Sequence, residues 1–161
     1  MRDITGKKEK TCCFTGHRPE KLHEPESEIR EALEIKILQA VDDGFDTFIS
    51  GMSRGVDIWA AEIVLRLREG NPDIKLIAAL PYDGMGNAWN SAWRKLYFEI
   101  LNSADYVKVF SPGYRRSVYL ERDRWMVDMS SRVIAVYHGE PGGTKNTIDY
   151  AEKNGIEIIE C

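Results

Sequence analysis

The stretch Ile74-Lys75-Leu76-Ile77-Ala78-Ala79-Leu80, followed directly by Pro81, decides the fold of this chain. Apart from its one lysine, every residue in the stretch is apolar. A short apolar run of this kind is typical of a strand covered on both faces, as strands are in a parallel sheet. Pro81 ends the strand, because proline has no amide hydrogen to pair with a neighbouring strand. The sequence therefore predicts a buried parallel strand here.

The chain on both sides of this strand alternates helical patterns with short apolar runs. Ile29, Leu33, Ile37 and Val41, for example, recur every four residues and form one apolar helix face. The predicted strands are residues 11–15, 45–50, 74–80, 106–110, 133–137 and 156–159. The predicted helices are residues 26–41, 56–69, 89–103, 117–130 and 142–154. This alternation predicts the α/β class, namely a Rossmann-like three-layer α/β/α sandwich with a mostly parallel sheet of about six strands. Strand order is left open by the periodicity.

Length and composition favour one folded unit. The chain has 161 residues, of which 43% are hydrophobic and 30% charged, as in globular domains. It contains no internal repeat, low-complexity tract or linker that would divide it. We therefore expect residues 1–10 to form a flexible leader and residues 11–161 to form a single Rossmann-like domain.

The charge balance restricts the partners that the sequence predicts. Lys and Arg number 22 and Asp and Glu 26, so the formal net charge is −4. An acidic chain argues against nucleic acid as a partner, although it leaves room for a local basic cleft. No segment reaches the roughly 18 apolar residues of a membrane span, and the N-terminal stretch is polar. We therefore expect a bacterial-type cytoplasmic protein that binds neither nucleic acid nor membranes.

The loops after the predicted strands contain the candidate site, because ligands bind at the carboxyl ends of strands in open parallel sheets. Three of these loops place glycine beside a helix start, where free amides accept an anion, and arginines accompany them. The ligand candidates are Gly16, His17, Arg18, Gly51, Ser53, Arg54, Gly55, Asp57, Gly142, Gly143 and Thr144. Together they predict a site for a small phosphorylated, nucleotide-like ligand.

Several of these residues allow two interpretations. His17 donates to phosphate or satisfies a backbone carbonyl, and Ser53 contacts phosphate or only caps a helix. Asp57 accepts a ribose hydroxyl or only complements the helix dipole. Arg18 is the best single anion ligand, because it follows a strand that looks central.

Other motifs narrow the function. The chain has no G-x-x-x-x-G-K-[ST] motif and no G-x-G-x-x-G turn after its first strand, which argues against a P-loop NTPase or an ordinary NAD dehydrogenase. The three histidines lack metal-ligand spacing, and the sequence predicts no metal and no cofactor.

A cluster of four arginines lies on the helix predicted over residues 117–130 and on the segment before it. Two carboxylates lie among these arginines, a pattern that predicts a solvated ion-pair face. Those charged residues are Arg115, Arg116, Glu121, Arg122, Asp123 and Arg124. Trp89, Trp93, Tyr97 and Phe98 are expected to share a helix that packs into the core or forms the interface of a homo-oligomer.

Four segments resemble the YpsA-type proteins of the SLOG superfamily, which also contains the LOG phosphoribohydrolases and the DNA-processing protein DprA. They are Thr15-Gly16-His17-Arg18-Pro19, residues 50–62, residues 122–128 and Gly142-Gly143-Thr144. The resemblance extends from about Thr11 to the C-terminus. It implies a Rossmann-like fold and a nucleotide or ADP-ribose-like ligand that is bound or sensed, in a family with proposed links to cell division. It also adds Arg122 and Glu62 to the candidate residues.

One departure from the LOG enzymes bears on catalysis. Those enzymes carry a motif similar to P-G-G-x-G-T-x-x-E, in which the glutamate serves cleavage of an N-glycosidic bond. Thr147 occupies the position of that glutamate here. Whether the protein is an enzyme therefore depends on another carboxylate, with Asp57 and Glu62 as the weak candidates and Asp123 beside them. The leading hypothesis is binding or sensing of a nucleotide-derived ligand. The alternatives are a hydrolase of N-ribosyl or phosphoribosyl bonds, and an interaction or structural protein linked to cell division.

Overall fold

The computed structural model describes residues 7–161, which form a parallel sheet with helices on both of its faces. The strands are β1 Thr11–Gly16, β2 Thr47–Ser50, β3 Lys75–Leu80, β4 Tyr106–Val109, β5 Arg132–Val136 and β6 Glu157–Glu160. The α-helices are α1 Glu26–Asp42, α2 Val56–Gly70, α3 Ser91–Ser103, α4 Val118–Asp128 and α5 Gly143–Lys153. Three short 3-10 turns accompany them at Lys8–Lys10, Pro19–Lys21 and Met85–Ala88. Most of the predicted leader lies outside the described residues, and its last three residues form the first of these turns.

The sheet has six strands in the order β4-β3-β2-β1-β5-β6, and every neighbouring pair is parallel. This confirms the predicted α/β class and the Rossmann-like three-layer sandwich. The central strand β1 aligns Cys13 with Ile49 of β2 on one side and with Val133 of β5 on the other. The chain runs outward from β1 to β4 and then returns to β5 beside β1. The sheet therefore changes direction next to its central strand, where such sheets bind their ligands.

Two apolar layers flank the sheet, and alternate residues of β1 feed them. Cys12 and Phe14 belong to the larger core, which packs against α1, α2 and α3. Cys13 belongs to the smaller core, which packs against α4 and α5. Removing a side chain such as Phe14 from water contributes roughly 2 kcal/mol to folding. Because both faces of β1 are covered, its end is held firmly at the edge of the sheet where the predicted site lies.

The start of α3 differs from its prediction. The helix begins at Ser91, because the side chain of Asn90 accepts a hydrogen bond from the Trp93 amide at 3.0 Å and caps it. Trp89 precedes the helix and packs edge-on against Tyr97, with 5.2 Å between ring centroids. The prediction that Trp89 belongs to this helix was therefore wrong. Across residues 7–161, no helix is both long enough and apolar enough for a membrane crossing.

Candidate functional site

A cleft of about 370 Å³ opens at the carboxyl edge of the sheet, where β1 lies between β2 and β5. The segment after β1, the start of α2, the inner face of α4 and the start of α5 form its walls. Nine of the twelve predicted ligand residues line this cleft. They are Gly16, His17, Arg18, Ser53, Asp57, Arg122, Gly142, Gly143 and Thr144. Four segments that are distant in the sequence are thus brought to one place.

The other three predicted residues lie behind or beside the lining. A Cβ on Gly51 would come within 2.8 Å of the Arg122 guanidinium and 3.0 Å of Asp57 Oδ2, so this position needs glycine. Gly55 has φ +92° and precedes the first residue of α2, a conformation that favours glycine. Arg54 forms an ion pair at 3.2 Å with Glu20, which lines the cleft.

Gly16 joins the end of β1 to the start of α2. A Cβ built on it would lie 2.5 Å from the side chain of Val56, the first residue of that helix. Only glycine lets the strand and the helix approach this closely. The contact places the amino end of α2 directly beside the end of the central strand.

Arg122 is buried, which corrects the prediction that its whole arginine cluster is a solvated ion-pair face. Only 4% of the residue is exposed. Its Nη1 donates to the carbonyl oxygens of Gly51 and, at 3.2 Å, Ala79, while its Nε donates to Asp123 Oδ1 at 2.7 Å. The guanidinium therefore connects α4 to the ends of β2 and β3. Arg115, in contrast, pairs with Glu121 on the surface at 2.9 Å, as expected for an exposed ion pair.

Asp57 is the buried carboxyl of the cleft. Its Oδ2 accepts a hydrogen bond from the Ser53 amide at 3.3 Å, whereas its Oδ1 has no partner within residues 7–161. Burial raises the pKa of Asp57 to about 7, and the positive charge of Arg122 opposes that rise only in part. The carboxyl group can accept a hydrogen bond from a ligand hydroxyl, or it can exchange a proton near neutral pH.

His17 is buried and already engaged with the backbone. Its Nε2 accepts a hydrogen bond from the His138 amide at 3.5 Å, and its ring stacks on the ring of His138 with 5.9 Å between centroids. Burial is the main cause that lowers the pKa of His17, so the ring is neutral at neutral pH. This geometry favours a structural role for the imidazole at the floor of the cleft.

Arg18 and Lys21 supply exposed positive charge beside the start of α5. Neither side chain forms an ion pair within the part of the chain that the structure describes. A Cβ on Gly142 would lie 3.9 Å from Lys21 Nζ, so this ammonium group stands over the start of α5. The N-cap residue Gly142 has no side chain to satisfy the first amides of the helix. Uncapped amides next to two cations are a favourable place for an anion.

Lys21 and Tyr119 also line the cleft, although neither was predicted from the sequence. Tyr119, Arg122, Asp123 and Met126 lie at positions i, i+3, i+4 and i+7 of α4, and this helical spacing was the available signal. Lys21 is the last residue of the 3-10 turn that follows β1. A turn this short has no hydrophobic periodicity from which its orientation could be predicted.

Glu62 lies outside the cleft. It pairs with Arg30 at 2.7 Å, in the contact between α1 and α2. Of the carboxylates considered for catalysis, Asp57 and Asp123 line the cleft. In residues 7–161 no group of three His, Cys, Asp or Glu side chains is arranged to hold a metal ion.

Comparison with known proteins gives the family. The model of the YspA SLOG family (YpsA) matches residues 12–158. A UPF0398 protein of Halalkalibacterium halodurans is 28% identical over 153 residues, which cover 89% of this chain and 81% of the relative. UPF0398 proteins of Bacillus cereus and Bacillus thuringiensis are 30% identical over 155 residues, which cover 91% of this chain and 84% of each relative.

A solved structure with the same fold corrects one prediction. DNA processing protein A from Helicobacter pylori superimposes with a TM-score of 0.66 at 18% identity, covering 98% of this chain. This chain spans 66% of that chain, which is just under two thirds. The structure of that protein addresses its single-stranded DNA binding mode, so a protein that contains this fold binds nucleic acid. The prediction that nucleic acid is excluded as a partner was therefore wrong, because net charge describes the whole surface and not one cleft. With the family match over most of its length, the chain belongs to the YspA SLOG family (YpsA), as its similarity to the UPF0398 proteins supports.

Proposed function

We propose that the cleft binds a nucleotide unit, with its phosphate held by Arg18, Lys21 and the first amides of α5. One observation carries this proposal. Two cations without ion-pair partners in residues 7–161 and an uncapped helix start line the same cleft as the buried, unpartnered oxygen of Asp57. The two cations and the helix start can bind a phosphate, and the Asp57 oxygen can accept a hydrogen bond from a ribose hydroxyl.

Energetics support a phosphate at this position. Hydrogen bonds to charged groups contribute about 1.5–3 kcal/mol each, roughly twice as much as neutral ones. Arg18 is exposed, so a ligand can reach it without opening the core. An anion that contacts Arg18 and the helix start together gains from both without displacing an existing ion pair.

The nucleotide unit can come from two sources. A free nucleotide or an ADP-ribose-like compound presents it singly, and a single-stranded nucleic acid presents it repeatedly. The DNA-binding neighbour makes the second source a necessary arm of any test. The predicted cytoplasmic location is compatible with both.

Isothermal titration calorimetry tests the proposal. The wild type is titrated with AMP, ADP-ribose, NAD, cyclic dinucleotides and a short thymidylate oligomer. For each ligand that binds, Arg18→Ala should weaken affinity at least tenfold, which corresponds to about 1.4 kcal/mol or more.

The matched control is Arg66→Ala, which removes an exposed arginine of α2 that pairs with Glu34 outside the cleft. It should leave affinity unchanged. The proposal fails if none of these ligands binds, or if Arg18→Ala and Arg66→Ala behave alike.

The second candidate is hydrolysis of an N-ribosyl bond, which the pKa of Asp57 near 7 favours. At neutral pH a fraction of this carboxyl is protonated, as a general acid must be to donate a proton to a departing base. In this reaction the bond from the base nitrogen to C1′ breaks, water attacks C1′, and base and ribose phosphate are released. Chromatography after incubation with nucleoside monophosphates tests it. Release of free base by the wild type, and none by Asp57→Asn, supports the hydrolase, whereas intact nucleotide throughout excludes it for these substrates.

A further inference from the structure

We propose that three tyrosines beside the cleft hold the planar ring of the ligand whose phosphate Arg18 binds. We call Tyr82, Tyr114 and Tyr119 the tyrosine rim. This inference rests on the proposed function of the cleft and adds to it the part of the ligand that distinguishes a nucleotide from a sugar phosphate.

The tyrosine rim extends outward from the cleft. Tyr119 lies on α4 and lines the cleft. Its ring centroid is 6.2 Å from that of Tyr82, which follows β3, and the Tyr82 ring is 5.8 Å from that of Tyr114, which follows β4. Both contacts are edge-to-face, with interplanar angles of 77° and 85°. The three rings therefore form a continuous aromatic path along the carboxyl edge of the sheet.

The path begins where the phosphate site ends. Burial raises the pKa of Tyr119, and the nearby charge of Arg18 acts against that rise. Both side chains line the same cleft. In a nucleotide the base and the phosphate lie on opposite sides of the sugar, so with a phosphate at Arg18 we expect the ring to extend past Tyr119 along the rim, toward Tyr82 and Tyr114.

Tyr114 is exposed although its loop is well ordered by hydrogen bonds. The residue is 68% exposed. Ser111 Oγ donates to the Gly113 carbonyl at 2.6 Å and accepts from Arg115 Nε at 3.2 Å, and the Asp83 amide donates to the Ser111 carbonyl at 3.0 Å. These contacts fix the loop after β4 to the loop after β3. A large apolar ring presented to water on a fixed loop, next to a phosphate site, is suited to stack on a ligand ring.

The chemistry selects flat aromatic rings with little preference among bases. Stacking on tyrosine uses the face of the ring, which every base has. The guanidinium of Arg122 lies over the Tyr119 ring, 5.5 Å from its centroid, so it contacts the rim itself and not the edge of a base. Discrimination between bases is therefore expected to be weak, and discrimination against ribose 5-phosphate strong. This applies equally to a free nucleotide and to a single-stranded nucleic acid.

The test compares ligands that have a ring with one that lacks it. Tyr114→Ala, Tyr114→Phe and the wild type are titrated calorimetrically with the four nucleoside monophosphates, a short thymidylate oligomer and ribose 5-phosphate. Tyr114→Ala should weaken binding of the ring-bearing ligands about tenfold, while Tyr114→Phe retains it. Ribose 5-phosphate should bind both variants and the wild type within twofold of one another. Weaker binding of the oligomer alone would assign the rim to a nucleic acid strand, whereas weaker binding of the monophosphates as well would show that one nucleotide is enough to engage the rim.

A matched control is Phe98→Ala, which removes another exposed ring, 42% exposed, from α3. It should change none of these affinities. The inference is overturned if Tyr114→Ala leaves the ring-bearing ligands unaffected, or if it weakens ribose 5-phosphate by the same factor. It is also overturned if ribose 5-phosphate binds and no ring-bearing ligand does, in which case the phosphate site stands. Failure of the proposed function looks different, because then ribose 5-phosphate and the nucleotides all fail to bind the wild type.

Discussion

At the scale of single residues, Asp57 couples the cleft to pH. Its carboxyl is buried at the start of α2, and one of its oxygens has no partner within residues 7–161. An unsatisfied buried oxygen lowers stability unless a proton or a ligand hydroxyl engages it. The same feature that makes Asp57 useful to a ligand thus makes the empty cleft unfavourable at high pH.

The first prediction concerns the stability of the ligand-free protein. In the folded chain Asp57 keeps its proton up to about pH 7, whereas an unfolded aspartate loses it near 3.8. Between these two values the folded state binds more protons than the unfolded state, so stability falls as pH rises. At about 1.4 kcal/mol per pKa unit, the loss over this range is on the order of 4 kcal/mol. Asp57→Asn should remove this part of the slope in urea unfolding measured from pH 4 to pH 8.

The matched control is Asp73→Asn, which changes an exposed aspartate before β3. Its unfolding free energy should follow the wild-type dependence on pH. Parallel curves for wild type and Asp57→Asn across this range would contradict the role given to Asp57.

Some residues of the cleft could be predicted from the sequence, and others could not. Arg18 and Gly143 were predictable, because a general rule places ligands at strand ends and both follow a strand end closely. The position of Tyr119 in the cleft was not predictable, because it depends on how α4 is rotated against the sheet. The burial of Arg122 was missed for the same reason: in the sequence it looks like the neighbouring exposed Arg124, and only the packing of α4 separates them.

At the scale of elements, the cleft depends on two close approaches. The end of β1 meets the start of α2 through Gly16 and Val56. The ends of β2 and β3 are joined to α4 through Arg122. Each contact fixes one wall of the cleft, so changes at either should affect stability and binding together.

The second prediction is that Gly16→Ala destabilises the protein. The added methyl would meet the Val56 side chain at 2.5 Å, and overpacking of this kind costs about 1–3 kcal/mol. Gly113→Ala is the control, because nothing lies within 4 Å of a Cβ there. Urea denaturation should place Gly113→Ala within about 0.5 kcal/mol of wild type. Equal stability of Gly16→Ala and Gly113→Ala would show that β1 and α2 are not closely packed.

The third prediction concerns the connection through Arg122. Arg122→Met keeps a long apolar stem but leaves the carbonyls of Gly51 and Ala79 without this donor. Removing one partner of a buried charged network typically costs about 3–5 kcal/mol, and we expect a loss of that order in urea denaturation. Arg122→Lys, which keeps the charge and loses the fork of donors, should fall between Met and wild type. If Arg122→Met had the same free energy of unfolding as the wild type, the view that this guanidinium fixes α4 would be contradicted.

At the scale of the whole molecule, the net charge of −4 does not describe the cleft, where Arg18, Lys21 and Arg122 lie among Glu20, Asp57 and Asp123. Arg18 and Lys21 stand at one end of the sheet, while carboxylates such as Glu26 and Glu34 pair on helix surfaces. The fold class followed from the alternation of strands and helices, because each element carries its own periodicity. The strand order did not follow, since it depends on contacts between elements far apart in the chain. That order creates the cleft by returning β5 to the side of β1.

We expect one ligand to contact the segment after β1, the start of α2 and the start of α5 at the same time. Two-dimensional NMR of the labelled protein, titrated with the nucleotide that binds best in calorimetry, tests it most directly. The largest amide shifts should fall at Arg18, Ser53 and Thr144 and should saturate with one dissociation constant. The outer face of α1, including Ile35 and Leu38, should not shift. Shifts confined to that face, or to the edge strand β6, with none at those three amides, would contradict it.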